Sequence, residues 1–366
     1  MMRLTALDRR RLRNFRANRR AFWSLWIFLG LLAISLCAEI VANDQPLAVK
    51  FKGEIVFPVL TRYPESFFGG DEGRVNTDFH DPAVRCMIVN AAGIDACLDA
   101  LDGLTEPAPP AEFGPGWILW APIPYGFDTV DRIPEHLPSP PDARHWLGTD
   151  DQGRDVVARI IYGFRLSVLF GFSVTLVSAL IGVVAGAAQG FFGGWVDLTF
   201  QRVEEVWASM NLLYVILIVA SLLAPSLGVM FVIFVAFSWV TLIGIVRAEF
   251  LRARNFEYVQ AARALGVRDW TIMFRHVLPN AMVATITMVP FMLTSSIGLL
   301  AGLDFLGFGL GSAYPSLGEL AQQGKKHIQD TWLALSAFFT FAIMLSLMVF
   351  IFEGVRDAFD PRKTFA

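Results

Sequence analysis

Apolar residues gather in six long stretches, at 21–42, 166–189, 198–223, 229–248, 281–303 and 332–352. Each approaches the ~20 residues that an α-helix needs to cross about 30 Å of hydrocarbon. The third is the most interrupted, because its first half, LTFQRVEEVWASMN, holds Arg202, Glu204, Glu205 and Asn211. It still counts as a span, since a helix carries such residues where it faces protein or water. The pattern predicts an all-α polytopic membrane protein with six transmembrane helices. Two polar intervals break the rhythm. One is 43–160, between the first and second spans. The other is EYVQAARALGVRDWTIMFRHVLPN at 257–280, between the fourth and fifth. The predicted division is therefore 1–42, a basic N-terminus with helix 1; 43–160, an insert; and 161–366, a core of five helices with a polar loop at about 249–280.

Composition agrees with a membrane chain: 55% hydrophobic residues, 32 Phe and a mean hydropathy of +0.51, above ordinary soluble usage. The net charge of −3 hides an asymmetry. The first twenty residues carry Arg3, Arg9, Arg10, Arg11, Arg13, Arg16, Arg19 and Arg20 against Asp8. By the positive-inside rule that end is cytoplasmic. Six crossings return the C-terminus, RDAFDPRK, to the same side. The loop with Arg252, Arg254, Arg263, Arg268 and Arg275 falls there too, and the insert falls outside. The first apolar run is span-length and no small-x-small cleavage site follows it, so it reads as an uncleaved helix rather than a signal peptide.

The insert is punctuated by Pro, Gly and Asp, which predicts short strands and turns rather than long helices. Trp117, Trp120 and Tyr125 suit either a small core or a membrane interface. Cys86 and Cys97 lie together in an outside segment where oxidation is permitted, and are the candidate disulfide pair. Cys37 lies within the first span. In the second span Gly182, Gly186 and Gly190 share one helix face. They allow close approach of another helix, of this chain or of a second membrane subunit.

Energy chemistry is missing from the residues. There is no GxxxxGK[ST] loop, no HExxH and no GxSxG. His80, His136 and His145 lack metal-ligand spacing, and no metal site or acid–base cluster is expected in the spans.

The polar loop at 257–280 reads as two short helices with a bend. Gln260, Ala261, Ala262 and Ala264 favour helix and leave a thin surface. Gly266 suits a left-handed terminator, Asp269 a cap for the next turn, and Pro279 a stop that redirects the chain. Taken alone, these residues fit an amphipathic loop on the lipid surface as well as a docking element.

A family pattern favours the second. The loop resembles the EAA loop of ATP-binding-cassette importer permeases: EAA, three residues, Gly, nine residues, then I-x-L-P. Gln260, Ala261, Ala262, Gly266, Leu278 and Pro279 occupy those positions, with Gln260 in place of Glu and His276 in place of Ile. HWLGTDDQGRDVVARIIYGFRLSVLFG (145–171), LDFLGFGL (303–310), PSLGEL (315–320) and RDAFDPR (356–362) resemble dipeptide and oligopeptide permeases of the second-subunit type. ANDQPLAVKF, WILWAPIPYG and VRAEFLRARNFEYVQAARALG are similar to the Yej-type branch, which handles peptides and microcin C.

The resemblance implies a type I importer permease fold in a bacterial inner membrane, without catalysis of its own. It implies a second homologous permease, two ATPase domains (separate or fused) that bind ATP and Mg, and a periplasmic peptide-binding protein. It places ATPase coupling on Glu257, Gln260, Ala261, Ala262, Arg263, Gly266, Arg268 and Pro279. Glu204, Glu205, Ser209 and Asn211 are the candidates for the translocation path, with the headgroup zone as the other reading for the two glutamates. Two other classes compete: an ion-coupled peptide transporter without an ATPase, which predicts buried carboxylates mid-span, and a membrane-anchored periplasmic binding or sensory module.

Overall fold

A computed structural model describes residues 6–71, 73–91, 93–103, 115–131 and 136–359. Arg3, the whole of EPAPPAEFG and the tail DPRK fall outside them. The chain begins with α1 (Ala6–Ala17) and α2 (Arg19–Leu36), followed by the short α3 (Ala38–Val41). The insert then forms β1 (Ala48–Phe51), β2 (Glu54–Val56), α4 (Pro82–Asn90), α5 (Ile94–Leu101) and β3 (Trp117–Leu119). After it come α6 (Val156–Phe192), α7 (Gly194–Ser209), α8 (Leu212–Leu222), α9 (Leu227–Ser238) and α10 (Val240–Ala253). The polar loop supplies α11 (Glu257–Ala264) and α12 (Asp269–Thr271). Last are α13 (Leu278–Leu306), α14 (Leu317–Lys326) and α15 (Thr331–Phe359).

Five of these segments are long and apolar enough to cross a membrane: Arg19–Leu36, Val156–Phe192, Leu227–Ala253, Thr285–Leu306 and Thr331–Phe359. The expected third span is not one straight rod. It is α7 and α8, bent by 70° at Met210–Asn211, and it brings the number to six if the pair is one span. The break has a local cause. Asn211 leaves helical geometry (φ −77°, ψ 118°) and its side chain accepts from the Leu213 N–H at 2.9 Å, starting a new helix. An Asn at that position competes with the continuing backbone ladder.

The chain divides into two compact units: one of residues up to Leu32, Gly163–Lys326 and Ala334 onward, the other of Ala33–Tyr162 with His327–Leu333. In the second unit the strands pair antiparallel in the order β2-β1-β3, with Val49 opposite Val56 and Ile118. Val49, Phe51 and Val56 turn inward onto Phe68, Phe79, Val84, Met87 and Ile88. The insert therefore holds two helices that its punctuation did not suggest. Asp81 starts α4 by accepting from the Ala83 N–H at 2.9 Å, and Pro82 sits where no N–H is needed. Trp117 is exposed, Trp120 is half-buried against this core, and Tyr125 is buried in a second cluster with Ile123, Ala158 and Tyr162.

A charged cage precedes α6. His145 is held between Asp155 (2.8 Å) and Asp131 (3.2 Å). Asp155 also accepts from the Ala158 N–H, capping α6. Asp150 takes the Arg154 side chain at 2.6 and 2.7 Å. Burial disfavours the His145 imidazolium, but the two carboxylates outweigh it and raise its pKa above the ordinary histidine value.

In the first unit, Gly182, Gly186 and Gly190 of α6 face α9–α10. A methyl group on Gly182 would lie 2.6 Å from the Trp239 carbonyl. On Gly186 it would lie 2.9 Å from that of Ile243, and on Gly190 2.5 Å from Phe250 Cβ. The stripe thus serves packing within the chain.

Candidate functional site

The polar loop is built on the end of α10. Phe256, extended at φ −71° and ψ 147°, breaks α10 from α11 and puts Glu257 in the first turn, where a negative charge suits the helix dipole. α11 ends at Gly266, with φ +76°. The Gly266 N–H returns to Arg263 O (2.9 Å) and the Val267 N–H to Ala262 O (3.1 Å), the paired bonds of a glycine-terminated helix.

The second half departs from the expectation of a separate short helix. α12 runs into a wide π-turn at Ile272–Val277 and then directly into α13. Pro279 does not stop this helix; it occupies its first turn. The wide turn supplies the reason. A proline ring in a tight helix crowds the carbonyl four residues back, and the wider π-turn relieves that crowding; in the first turn of α13 the missing N–H costs less than in a helix interior. Asp269 is not the cap either. Arg268 holds the capping position in extended geometry, and Asp269 is the first helical residue.

One face of the loop is fixed. Val259, Ile272, Met273 and Val277 are fully buried with Ala187 and Phe191 of α6 and Val246 and Phe250 of α10, and Ala262, Val267 and Leu278 pack on the rim. The other face is bare. Leu265 is 82% and Trp270 58% exposed, and Trp270 stacks on Phe274 at 5.9 Å. Glu257, Gln260, Ala261, Arg263, Gly266, Arg268 and Pro279 are all exposed, while Ala262 is half-buried. The Gln260 amide donates to Asn255 O at 3.3 Å. Arg263 lies 4.9 Å over the Phe191 ring and 3.5 Å from Asp269, with both ions about half exposed, so that bridge contributes little. A bracket results: inner side chains packed against two spans, outer side chains exposed.

Comparison with known proteins adds to this geometry. Residues 178–365 match the family model for the "Binding-protein-dependent transport system inner membrane component". The chain belongs to this family. It is 51% identical to the "Peptidoglycan transport system permease protein YejE" of Agrobacterium fabrum, across 98% of this chain and 93% of that one. It is 49% identical to the "Inner membrane ABC transporter permease protein YejE" of Escherichia coli, across 99% of both. The "Dipeptide transport system permease protein DppC" of Bacillus subtilis is 36% identical, across 61% of this chain and 70% of that one. The family match opens inside α6 and contains the whole loop. The insert precedes it and falls within the length shared with the two YejE proteins.

Elsewhere in the permease the sequence-derived candidates separate. Glu204 is half-buried and accepts from the Gln189 side chain of α6. Glu205 is exposed and pairs with Arg202 on its own helix. Ser209 bonds the Val206 carbonyl at 2.7 Å and Asn211 caps α8, so both stand at the break between α7 and α8. Cys86 of α4 and Cys97 of α5 form a disulfide with Cα atoms 5.7 Å apart.

Two features escaped the sequence reading. Asp197 of α7 and Arg247 of α10 form a two-pronged ion pair at 2.6 and 2.7 Å. The available signal was a lone arginine inside the otherwise apolar fourth stretch. Asp304, near the end of α13, is buried and accepts from the Leu310 N–H (2.6 Å) and the Ser316 hydroxyl; Glu319 and Gln323 are buried on α14. Asp304 stands in the last turn of the fifth span and Glu319 on α14, which is too short to be a span, so neither of these buried carboxylates lies mid-span. Both are engaged by partners within the chain.

Proposed function

We propose that this permease is one of two homologous membrane subunits of an ATP-driven importer for peptides or peptide-like compounds, including those of microcin C type. Its loop is gripped by an ATPase domain on the cytoplasmic side. The observation that carries this reading is the bracket at 257–280, with its inner face welded to α6 and α10 and Leu265 and Trp270 bare outside. A loop lying on lipid would bury its apolar residues in lipid. Here one apolar face, Val259, Ile272, Met273 and Val277, is buried in protein, and this fixes the loop to the spans. Such a bracket passes force to the spans without bending.

The N-terminal arginines and those of the loop support a cytoplasmic location for both, with the termini on one side if α7–α8 is a single span. The insert then faces the periplasm, where a binding protein delivers solute. ATP and Mg belong to the partner ATPase domains, which supply all phosphoryl-transfer residues. Closure of the ATPase pair displaces the bracket, and the spans rock to expose the path alternately to each side.

The test is Gly266→Asp with co-purification in mild detergent. Gly266 holds a left-handed conformation and is exposed, with open space where a Cβ would lie. The variant is expected to insert and to assemble with the second permease but to lose peptide uptake. Uptake equal to wild type, or a wild-type complex from which no ATPase is recovered, overturns the proposal.

A further inference from the structure

The Asp197–Arg247 pair joins two elements whose relation matters to any lever. Arg247 lies on α10, less than two turns before that helix ends and the exposed loop begins. Asp197 lies in the first turn of α7, the helix that breaks from α8 at Met210–Asn211. Both guanidinium prongs are used, Nε to Oδ1 at 2.6 Å and Nη2 to Oδ2 at 2.7 Å. The side chains are only 28% and 14% exposed. Gln201, one turn along α7, lies with its side-chain amide beside both ions. The far end of α7 is tied too: Trp207 Nε1 donates to the Ala236 carbonyl of α9 at 2.7 Å. Gly193, just before α7, leaves room for Arg254, which ends α10; a Cβ there would meet Arg254 Nη1 at 2.5 Å. α7 is therefore tied at both ends to the helices that carry the loop, and the first freedom after these ties is the 70° break.

From this we infer that the Asp197–Arg247 pair is a lock that makes α7 move as one body with α10 and the loop, so that displacement of the loop is delivered to the joint at Met210–Asn211 and swings α8. A bidentate pair suits that task. It fixes direction as well as distance, which a lysine in the same place cannot do. Both residues act through the helices they join, as positioning residues. The inference rests on the reading of the loop as the ATPase-docking element.

The experiment uses the full chain in its complex with the second permease and the ATPase, in a Cys37→Ser background. Spin labels are placed at Asn255→Cys on the α10–α11 junction, and at either Val206→Cys on α7 or Leu222→Cys on α8. All three sites are exposed. In the unaltered lock, the 206–255 distance distribution should stay the same between nucleotide-free and ATP-trapped states, while the 222–255 distribution shifts. Arg247→Gln and Asp197→Asn should broaden the 206–255 distribution and cut peptide uptake per ATP hydrolysed by about ten-fold, with ATP hydrolysis persisting. Arg247→Lys should fall between. The exchange Asp197→Arg with Arg247→Asp should recover most of the loss. Should Arg247→Gln not assemble, Arg247→Lys and the exchange decide. Uptake per ATP within about two-fold of wild type in the single variants, or a 206–255 distribution that does not change with them, overturns the lock. Failure of the docking reading shows separately, as a wild-type complex without ATPase contact at 257–280.

Discussion

Substituting Gly190 by alanine tests how closely α6 and α10 meet beneath the loop at 257–280. The added methyl would lie 2.5 Å from Phe250 Cβ and 2.6 Å from the Arg247 carbonyl oxygen. Neither atom can rotate away, because both are fixed to the backbone of α10. Carbon atoms are at their attractive optimum near 3.5–4.0 Å, so the helices must part by about 1 Å. Parting them also loosens Ala187, Phe191, Val246 and Phe250, which hold the loop through Val259 and Ile272. Overpacking of this kind costs about 1–3 kcal/mol, against a gain of about 1 kcal/mol from alanine's better helix propensity. Gly244 provides the internal control. It lies on α10 with nothing from another element within 4 Å of where a Cβ would lie, so Gly244→Ala should show the gain alone. The two variants should differ by about 1–3 kcal/mol, or roughly 2–12 °C in melting temperature for a unit of this size. The assay is thermal unfolding of the purified chain in detergent, followed by tryptophan fluorescence. If Gly190→Ala melts at or above Gly244→Ala, the helix contact described here is wrong.

Further outcomes follow from other parts of the structure. Replacing Gly266 (φ +76°) by Asn should keep ATPase co-purification close to wild type, and Gly266→Val should reduce it, since Asn tolerates the left-handed region and a β-branched residue does not. Removing the Cys86–Cys97 disulfide, which closes a loop of sequence separation 11, should destabilise the insert by about 3 kcal/mol on chain entropy, and the same shift should appear in wild type on adding reductant. The two insert histidines should oppose each other in a pH titration of stability. His145 has a raised pKa, so its contribution is complete below the unfolded value of about 6.5 and disappears as pH rises through its folded value. His80 is lowered by burial and by Arg85, so its effect is lost as pH falls below the unfolded value. Melting of His145→Gln should therefore rise with pH between 6 and 8. Melting of His80→Gln should fall over the same range; equal slopes in both refute the assignment.

The spans were legible because membrane crossing imposes a length of apolar sequence that little else imitates. The third stretch was legible only as an exception. Its charges and Asn211 marked it as unusual, but a 70° break depends on how one side chain competes for a backbone N–H, which hydropathy does not register. The loop's left-handed glycine was readable because only a special backbone angle asks for glycine there. Pro279 misled, because the rule that proline ends helices assumes an α-helix before it, and here a wider turn precedes it. In the insert, α4 and α5 were missed because they are short and buried on one side, with turn-rich sequence around them masking the periodicity. The ion pair of Asp197 and Arg247 joins residues fifty positions apart, and nothing local links the two.

The wide turn at Ile272–Val277 sets a phase. A π-turn holds about one residue more than the 3.6 of an α-helical turn, so one residue removed from this segment would restore ordinary pitch and leave what precedes it in nearly the same phase about the axis of α13. A second residue removed, or one inserted, has no such compensation and would rotate Trp270 by about 100° about that axis. The interval between Gly266 and Pro279 is thus a gear tooth count with one spare tooth: a residue can be lost at the wide turn, and any other change of length turns the loop away from whatever grips it.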